Sequence, residues 1–236
     1  MKRSIKTTAI ILSAAMANTA TCMAQESVEA SAGADIVSSY EWRGQDLGGF
    51  SIQPSLSVAY KGFSLGAWGS VGLDKEDTKE FDLTLGYSAG KFSVSVTDYW
   101  FAPYGENNNY FHYKAHETAH VFEVQAGYDF GPVALNWYTN FAGDDGSNKD
   151  GDRAYSSYVN LSAPFKLGGL NWTAEIGATP WATSFYADAN GFAVCNIALS
   201  ATKEIKVTET FSIPAFAKLT FNPASESTYF VFGLSL

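Results

Sequence analysis

Three histidines are the side chains best suited to bind a metal ion, and they follow one another at a spacing of four residues. His112, His116 and His120 are the only histidines in the chain. On a helix, residues four apart are neighbours, whereas on a strand they lie ~13 Å apart, too far to share one ion. The preceding residues 107–110, Asn-Asn-Asn-Tyr, are typical of a loop. The sequence therefore favours a solvated external loop over a metal site, and it predicts no cofactor.

A second candidate for metal binding is the acidic segment 144–152, which reads Asp-Asp-Gly-Ser-Asn-Lys-Asp-Gly-Asp. Its carboxylate, amide and hydroxyl oxygens are ligands that suit calcium. The segment lacks the spacing of an EF-hand, which places oxygen ligands at alternate positions and a glycine at the sixth. An ordinary hydrophilic loop is the favoured interpretation, and contact with divalent ions at the cell surface is the alternative.

Catalysis of hydrolysis would require a serine or aspartate close to a histidine. The histidines all lie in one loop and its approach to the next segment, and Ser156 and Ser157 have no visible partner in the sequence. The chain is therefore predicted not to be an enzyme.

The elements that must position these side chains are strands, and the alternation that shows this is clearest at the C-terminus. Between Thr228 and Leu236, the residues Phe230, Phe232 and Leu234 share one face with the final leucine. A strand this apolar suits the last strand of a transmembrane β-barrel, whose outer face meets lipid and which closes against the first strand. An edge strand of a soluble sandwich is the alternative.

From Ala34 onward, the sequence divides into segments of about ten alternating residues separated by turn residues, as in barrel strands. Aromatic residues stand near both ends of many segments, such as Phe50 and Tyr60, and resemble the interfacial girdles of barrels. The pattern predicts an all-β chain that forms a single antiparallel transmembrane β-barrel of about twelve strands, with both termini in the periplasm. The predicted strands are about Ala34–Arg43, Phe50–Tyr60, Phe63–Val71, Glu80–Ser88, Phe92–Phe101, Ala119–Phe130, Val133–Phe141, Ala154–Phe165, Leu170–Ala178, Phe192–Thr202, Val207–Phe221 and Thr228–Leu236.

The first residues predict export. Lys2, Arg3 and Lys6 precede an apolar run, and Ala24 offers a small residue at a cleavage position. We therefore expect a signal peptide at residues 1–24, a periplasmic N-terminal extension at 25–33 and an outer-membrane barrel at 34–236. A lipoprotein anchored on Cys22 is the alternative.

Charge and cysteine content exclude two classes of protein. Without the signal peptide, Cys195 is the only cysteine, so a disulfide framework is excluded. Removal of three basic residues from 15 leaves 12 against 24 acidic residues, a net charge of −12. A nucleic-acid partner is therefore not expected.

The predicted inward face carries charged residues in mid-strand. Five acids and two bases lie there, and in a dry interior three carboxylates would remain unpaired at a cost of several kcal/mol each. The lumen is therefore predicted to be partly wet, narrowed by large side chains such as Trp68 and Tyr138. The alternative is a plugged lumen in which Arg43 bridges Glu41 and a neighbouring acid. The predicted pore-lining residues are Glu41, Arg43, Trp68, Asp82, Asp98, Glu123, Glu175 and Lys218.

One of these residues breaks the alternation. If Phe92, Val94 and Val96 face lipid, then Asp98 would face lipid too, where a carboxylate is costly. A β-bulge near Thr97 would turn Asp98 inward. The alternative, which we weigh equally, is that Asp98 lies at the outer headgroup boundary.

Three motifs near the start carry a family resemblance. They are VSSYEWRG at 37–44, QPSL at 53–56 and GAWGS at 66–70, followed more loosely by the aromatic run at 99–101 and by Glu123. Together they resemble the opening of the TorF-like family of outer-membrane porins, most specifically from Ala34 to Pro103. The resemblance implies a barrel and an outer-membrane location rather than a particular solute.

The function predicted from the sequence is a narrow passive pore for small hydrophilic solutes in the bacterial outer membrane. A net lumen charge of about −3 predicts a mild preference for cations. The expected partners are outer-membrane lipid, lipopolysaccharide, small solutes and, through the C-terminal strand, the barrel-assembly machinery. A sealed structural or surface-interaction barrel is the alternative.

Overall fold

The computed structural model describes residues 27–74, 77, 79–102, 109–114 and 117–236. The predicted signal peptide at 1–24 lies outside the described residues. Within the described ranges, no helix is long and apolar enough to cross a membrane.

Twelve antiparallel strands form one closed barrel, as predicted, and two further short strands pair with each other. Going round the barrel, the order is β1, β14, β13 and so on down to β4, so each strand pairs with its neighbours in sequence. The strands are β1 (Glu29–Val37), β2 (Tyr40–Trp42), β3 (Gln45–Gly48), β4 (Ser51–Tyr60), β5 (Phe63–Gly72), β6 (Lys79–Ala89), β7 (Phe92–Ala102), β8 (His120–Asp129), β9 (Ala134–Gly143), β10 (Ser157–Leu167), β11 (Leu170–Thr179), β12 (Ala193–Lys206), β13 (Ser212–Asn222) and β14 (Ser227–Ser235).

The C-terminal strand closes the barrel. β1 is hydrogen-bonded to β4 on one side and to β14 on the other, and the backbones of Ala34 and Leu236 exchange hydrogen bonds of 2.9 and 3.2 Å. Closure leaves no unpaired strand edge, which a strand in lipid could not tolerate.

The two faces of the wall differ as the alternation predicts. On β14, Phe230, Phe232 and Leu234 point outward and are exposed, while Val231 between them is buried. The same alternation gives exposed Leu56 on β4, and apolar side chains are exposed around the barrel. An outward face of this kind suits lipid.

The connections alternate in length, also as predicted, and we name the two ends of the barrel after them. The turn end carries the shorter connections, and the chain ends there. The loop end carries most of the longer ones. At the turn end the connections are 61–62, 90–91, 130–133, 168–169 and 207–211, and at the loop end they are 38–50, 73–78, 103–119, 144–156, 180–192 and 223–226.

The first predicted strand, Ala34–Arg43, is wrong at both of its ends. The wall strand β1 begins at Glu29, so five residues assigned to the N-terminal extension belong to the barrel, and it ends at Val37. The chain then folds into the lumen as a hairpin of β2 and β3, which we call the lumen hairpin (residues 40–48). Its turn consists of Arg43 (φ 53°) and Gly44 (φ 80°), and two positive φ values are what a tight two-residue hairpin turn requires.

The barrel interior is filled at the loop end, and its side chains are more exposed toward the turn end. Along the inward face of β12, Asn196 and Ala198 are buried, Ser200 and Thr202 are half-buried, and Glu204 is exposed. A register shift lets β12 bulge at Cys195, beside the lumen hairpin. β12 also continues to Lys206 and β13 begins only at Ser212, later than predicted.

Candidate functional site

A cavity of about 330 Å³, lined by polar and aromatic side chains, lies inside the barrel beneath the lumen hairpin. The hairpin residues Tyr40 to Arg43 form its roof, and inward side chains of the wall strands form its sides. Most of the wall residues carry a hydroxyl or amide group, so the cavity suits water and small polar solutes. These polar wall residues include Gln53, Thr84, Ser95, Thr97, Gln125 and Ser162.

Arg43, at the tip of the hairpin, is tied to the wall strand β8. Its guanidinium donates to both carboxylate oxygens of Glu123, at 2.5 Å (Nη1 to Oε2) and 2.9 Å (Nη2 to Oε1). Tyr99 also donates to Glu123, at 2.9 Å, and the hydroxyl of Tyr186 contacts Arg43. Arg43 is 5% exposed and Glu123 is 2% exposed, so this two-pronged ion pair is shielded from water.

Aromatic rings enclose the same guanidinium. Its carbon lies 4.2 Å from the ring centre of Trp42, 4.0 Å from that of Tyr138 and 5.0 Å from that of Tyr158. Cation–π contacts of this kind strengthen when they are desolvated. Burial raises the pKa of Tyr186, in the loop between β11 and β12, well above its ordinary value, so its hydroxyl remains neutral beside Arg43.

The opposite side of the hairpin is fastened by a second ion pair. Glu41 accepts from Lys218 of β13 at 2.6 Å and from the backbone N–H of Gly44 at 2.7 Å. The carbonyl of Gly44 accepts from Asn222 at 2.8 Å. A Cβ atom at Gly44 would lie 1.8 Å from the carbonyl oxygen of Cys195, so only glycine fits at this contact. The hairpin thus spans the lumen between opposite parts of the wall.

The structure brings seven of the eight residues predicted to line a pore to the lumen. One of the seven, Glu123, forms the ion pair with Arg43 and is not among the residues that line the cavity. That they line a conducting pore stays a prediction. The six that line the cavity are Glu41, Arg43, Trp68, Asp82, Glu175 and Lys218.

Asp98 is the exception, and the predicted bulge at Thr97 does not form. β7 pairs with β6 and β8 in unbroken register, and the hydroxyl of Thr97 bonds that of Thr84 inside the barrel at 2.9 Å. Asp98 therefore points outward in phase with Val96, near the loop end. This outward position agrees with the alternative, and the location of Asp98 at the outer headgroup boundary stays a prediction.

Asp98 is tolerated there because it is paired with a histidine. Nδ1 of His120, the first residue of β8, lies 2.6 Å from Asp98, and Nε2 lies 2.6 Å from the carbonyl oxygen of Tyr110. His120 is fully buried under Tyr110 and Tyr113, so its prediction as a solvated loop residue is wrong. Both ring nitrogens have partners, so neither is free to act as a base.

The other histidines do not complete a metal site in the described structure. His112 is partly exposed and lies near Glu117, whereas His116 lies outside the described residues. Among the residues that the structure describes, no three potential ligand side chains come together as a metal site requires.

The acidic loop is partly structural. Asp145 is 2% exposed and accepts from the backbone N–H of Ser156 at 2.9 Å. Burial raises the pKa of Asp145 above its ordinary value. The hydroxyl of Ser156 bonds Thr183 at 2.6 Å and the carbonyl of Asp145, so this serine has no histidine partner.

The predicted pore-lining set omits Glu80 and Tyr186. Glu80 starts the inward row of β6 and is buried against Tyr40 and Asp82. The alternation places it on the same face as Asp82, but at the end of the strand rather than in its middle. Tyr186 lies in an irregular loop, and no periodic signal marks it.

The fold and the lumen define a class, a closed twelve-stranded antiparallel barrel with an apolar outer face and a polar interior roofed by an inserted hairpin. The chain belongs to the Gcw_chp family, described as a bacterial protein of unknown function, whose model matches residues 21–211. The resemblance to TorF-like porins is not confirmed by the comparisons.

Other comparisons add only similarities of fold. No curated protein matches the chain. Thirteen chains of solved structures match, and one of them is a KdgM porin with 9% sequence identity. The match covers 89% of this chain and 98% of that one, with a TM-score of 0.45.

Proposed function

We propose that this protein is an outer-membrane barrel that acts as a porin-like channel for small hydrophilic solutes, with the lumen hairpin as its constriction. The observation that carries the proposal is the cavity inside the barrel, whose wall residues mostly carry polar groups and whose inward side chains become more exposed toward the turn end. A barrel that served only as a membrane anchor would gain nothing from such a cavity.

The outward face supports a location in lipid. Large apolar side chains such as Leu56, Leu85 and Phe230 are exposed around the barrel, and in water such a surface would drive aggregation. We propose lipid and lipopolysaccharide as partners of this face. Both ends of the wall lie at the turn end, which we place in the periplasm, where the C-terminal strand would meet the assembly machinery.

The charges that remain in the lumen support a preference for cations. Arg43 is paired with Glu123, and Lys218 with Glu41, so these four residues offset one another. Other acids also face the lumen, among them Glu80 and Asp82, which are buried, and Glu175, which is half-buried. When ionised, they attract cations and repel anions at short range.

A sealed barrel is the second candidate, and the fastened hairpin favours it. The hairpin contacts its two ion-pair partners in the wall, Glu123 and Lys218, and the bulge of β12. The side chains of Tyr158 and Tyr186 beside it are fully buried. In the channel that we propose, solutes pass when the hairpin shifts within the lumen.

Conductance in a planar bilayer separates the two candidates. We compare the refolded wild type with a variant in which residues 41–47 are replaced by Gly-Ser, and with a control in which the external tip 148–151 is replaced by Gly-Gly. The proposal expects small, fluctuating conductance in the wild type and larger, steady conductance only in the hairpin variant. A folded hairpin variant that conducts nothing would exclude a channel.

The same bilayers test the preference for cations. In a salt gradient, the reversal potential of the hairpin variant should show cation preference, and Glu175→Gln in that background should reduce it. A preference for anions would show that the acids without a basic partner do not determine the electrostatic potential in the lumen.

We do not propose catalysis. The hydroxyl of Ser156 and the ring nitrogens of His120 are occupied by structural partners. Hydrolysis of lipid or peptide that depends on either residue would replace the channel proposal.

A further inference from the structure

Asp82 lies between two aromatic side chains in one row across the wall of the lumen. Its direct neighbours across the strands are Trp68 of β5 and Tyr99 of β7, and all three line the cavity. Directly opposed residues on one face of a sheet have Cβ atoms about 5 Å apart, so the two aromatic side chains flank the carboxylate.

The lumen hairpin places more aromatic surface over this row. The ring centre of Tyr40 lies 5.5 Å from that of Trp68, and the ring centre of Trp42 lies 5.8 Å from that of Tyr99. Thr84 and Thr97 form the next row toward the turn end, joined by their own hydrogen bond. The carboxylate therefore stands in an aromatic recess that opens into the cavity.

One oxygen of the buried Asp82 carboxyl group lacks a partner. Asp82 is 8% exposed, and its Oδ1 has no hydrogen-bond partner among the described residues. The side chain of Asp82 is hydrogen-bonded to that of Glu80, which is also acidic and therefore brings no positive charge to the recess. The two bases that line the cavity, Arg43 and Lys218, already form ion pairs with other acids.

We propose that this recess binds a primary alkylammonium ion. Its N–H groups donate to the unpartnered oxygen of Asp82, and its positive charge faces the rings of Trp68 and Tyr99. The alkyl chain extends into the cavity. A sodium ion is more strongly hydrated and has no N–H, and a quaternary ammonium has no N–H to donate.

The proposal names a solute class for the channel, and it rests on the proposed function because a solute reaches the recess through the open lumen. Binding can nevertheless be measured without conduction. Isothermal titration calorimetry on the full barrel refolded in detergent uses n-propylammonium chloride as the probe, at constant ionic strength. Sodium chloride, tetramethylammonium chloride and 1-propanol serve as comparison solutes.

We expect n-propylammonium to bind and the three comparison solutes to bind at least about tenfold more weakly. Asp82→Asn keeps the shape of the side chain but removes its charge, and it should weaken binding by about tenfold or more. Trp68→Leu removes one aromatic face and should also weaken it. The matched control is Glu204→Gln, which removes an exposed inward acid at the turn end, outside the recess, and should bind as the wild type does.

Heat-modifiable migration in gel electrophoresis checks that each variant is folded. If Asp82→Asn fails this check, Trp68→Leu alone decides the test. Equal binding of sodium or tetramethylammonium, or unchanged binding in a folded Asp82 or Trp68 variant, would overturn the proposal. A protein that binds n-propylammonium but never conducts would retain the site and lose the channel, so the two failures are distinguishable.

Discussion

Replacement of Arg43 by alanine tests whether the hairpin is held in the lumen by its ion pair. The substitution leaves Glu123, which is 2% exposed, without the guanidinium that contacts both of its oxygens. Removal of one member of a buried ion pair costs about 3–5 kcal/mol, because the other charge stays buried without a partner. The free energy of unfolding should therefore fall by about 3–5 kcal/mol. The loss is smaller if the hairpin leaves the lumen, because water then reaches Glu123.

The release of the hairpin gives this prediction a second readout. If Arg43→Ala frees the hairpin, conductance in a planar bilayer should rise, since the contact with β8 is lost and the roof of the cavity is then fastened on the β13 side, through Lys218 and Asn222. Stability is measured by urea unfolding of the barrel in lipid vesicles, followed by tryptophan fluorescence.

A paired variant provides the control. Arg43→Met together with Glu123→Met removes both charges and fills the space with apolar side chains, a change that is often close to neutral. This variant should recover most of the lost stability. A loss below about 1 kcal/mol in Arg43→Ala, with unchanged conductance, would refute the view that this ion pair holds the hairpin.

Two further substitutions and one deletion test other contacts of the barrel. Gly44→Ala should destabilise the barrel by at least ~1–2 kcal/mol, because its φ is 80° and the methyl group would strike a carbonyl, whereas Gly168→Ala, at φ 62° with nothing within 4 Å, should cost less. Equal urea midpoints for the two would contradict the close approach. Deletion of Tyr229–Leu236 should abolish membrane assembly, since it leaves strand edges unpaired in lipid, and heat-modifiable truncated protein in the membrane would count against closure. His120→Ala should lower the free energy of unfolding by ~1–3 kcal/mol because it removes a buried hydrogen-bond partner, while His112→Ala should have little effect.

The aromatic and charged residues around the hairpin show where sequence reasoning fails. Tyr40 and Trp42 alternate with Glu41, which is the pattern expected of a strand in the barrel wall. The hairpin inside the lumen has the same pattern, so the pattern does not distinguish the two positions. Arg43 followed by glycine is also not a typical turn pair for a hairpin. The chain therefore looked like a continuation of the first strand, although it turns inward after Val37.

The sequence by itself determined the wall of this barrel. Side chains on a strand alternate between two faces, so the period of two predicted which residues face outward, how many strands form the wall, and that Phe230, Phe232 and Leu234 share the outer face of the closing strand. The same rule predicted that Asp82, Glu123, Glu175 and Lys218 face the lumen, but it does not identify the residues that they contact.

Only the tertiary structure decided which charges are paired. Glu123 lies 80 positions from Arg43, and no local pattern connects residues so far apart. Strand order and register bring them together across the lumen, just as they set Asp98 beside His120 on the outer face. Whether an inward charge is neutralised or remains available to a solute depends on these long-range contacts, because Coulomb attraction in a low-dielectric interior is decided by a few ångströms.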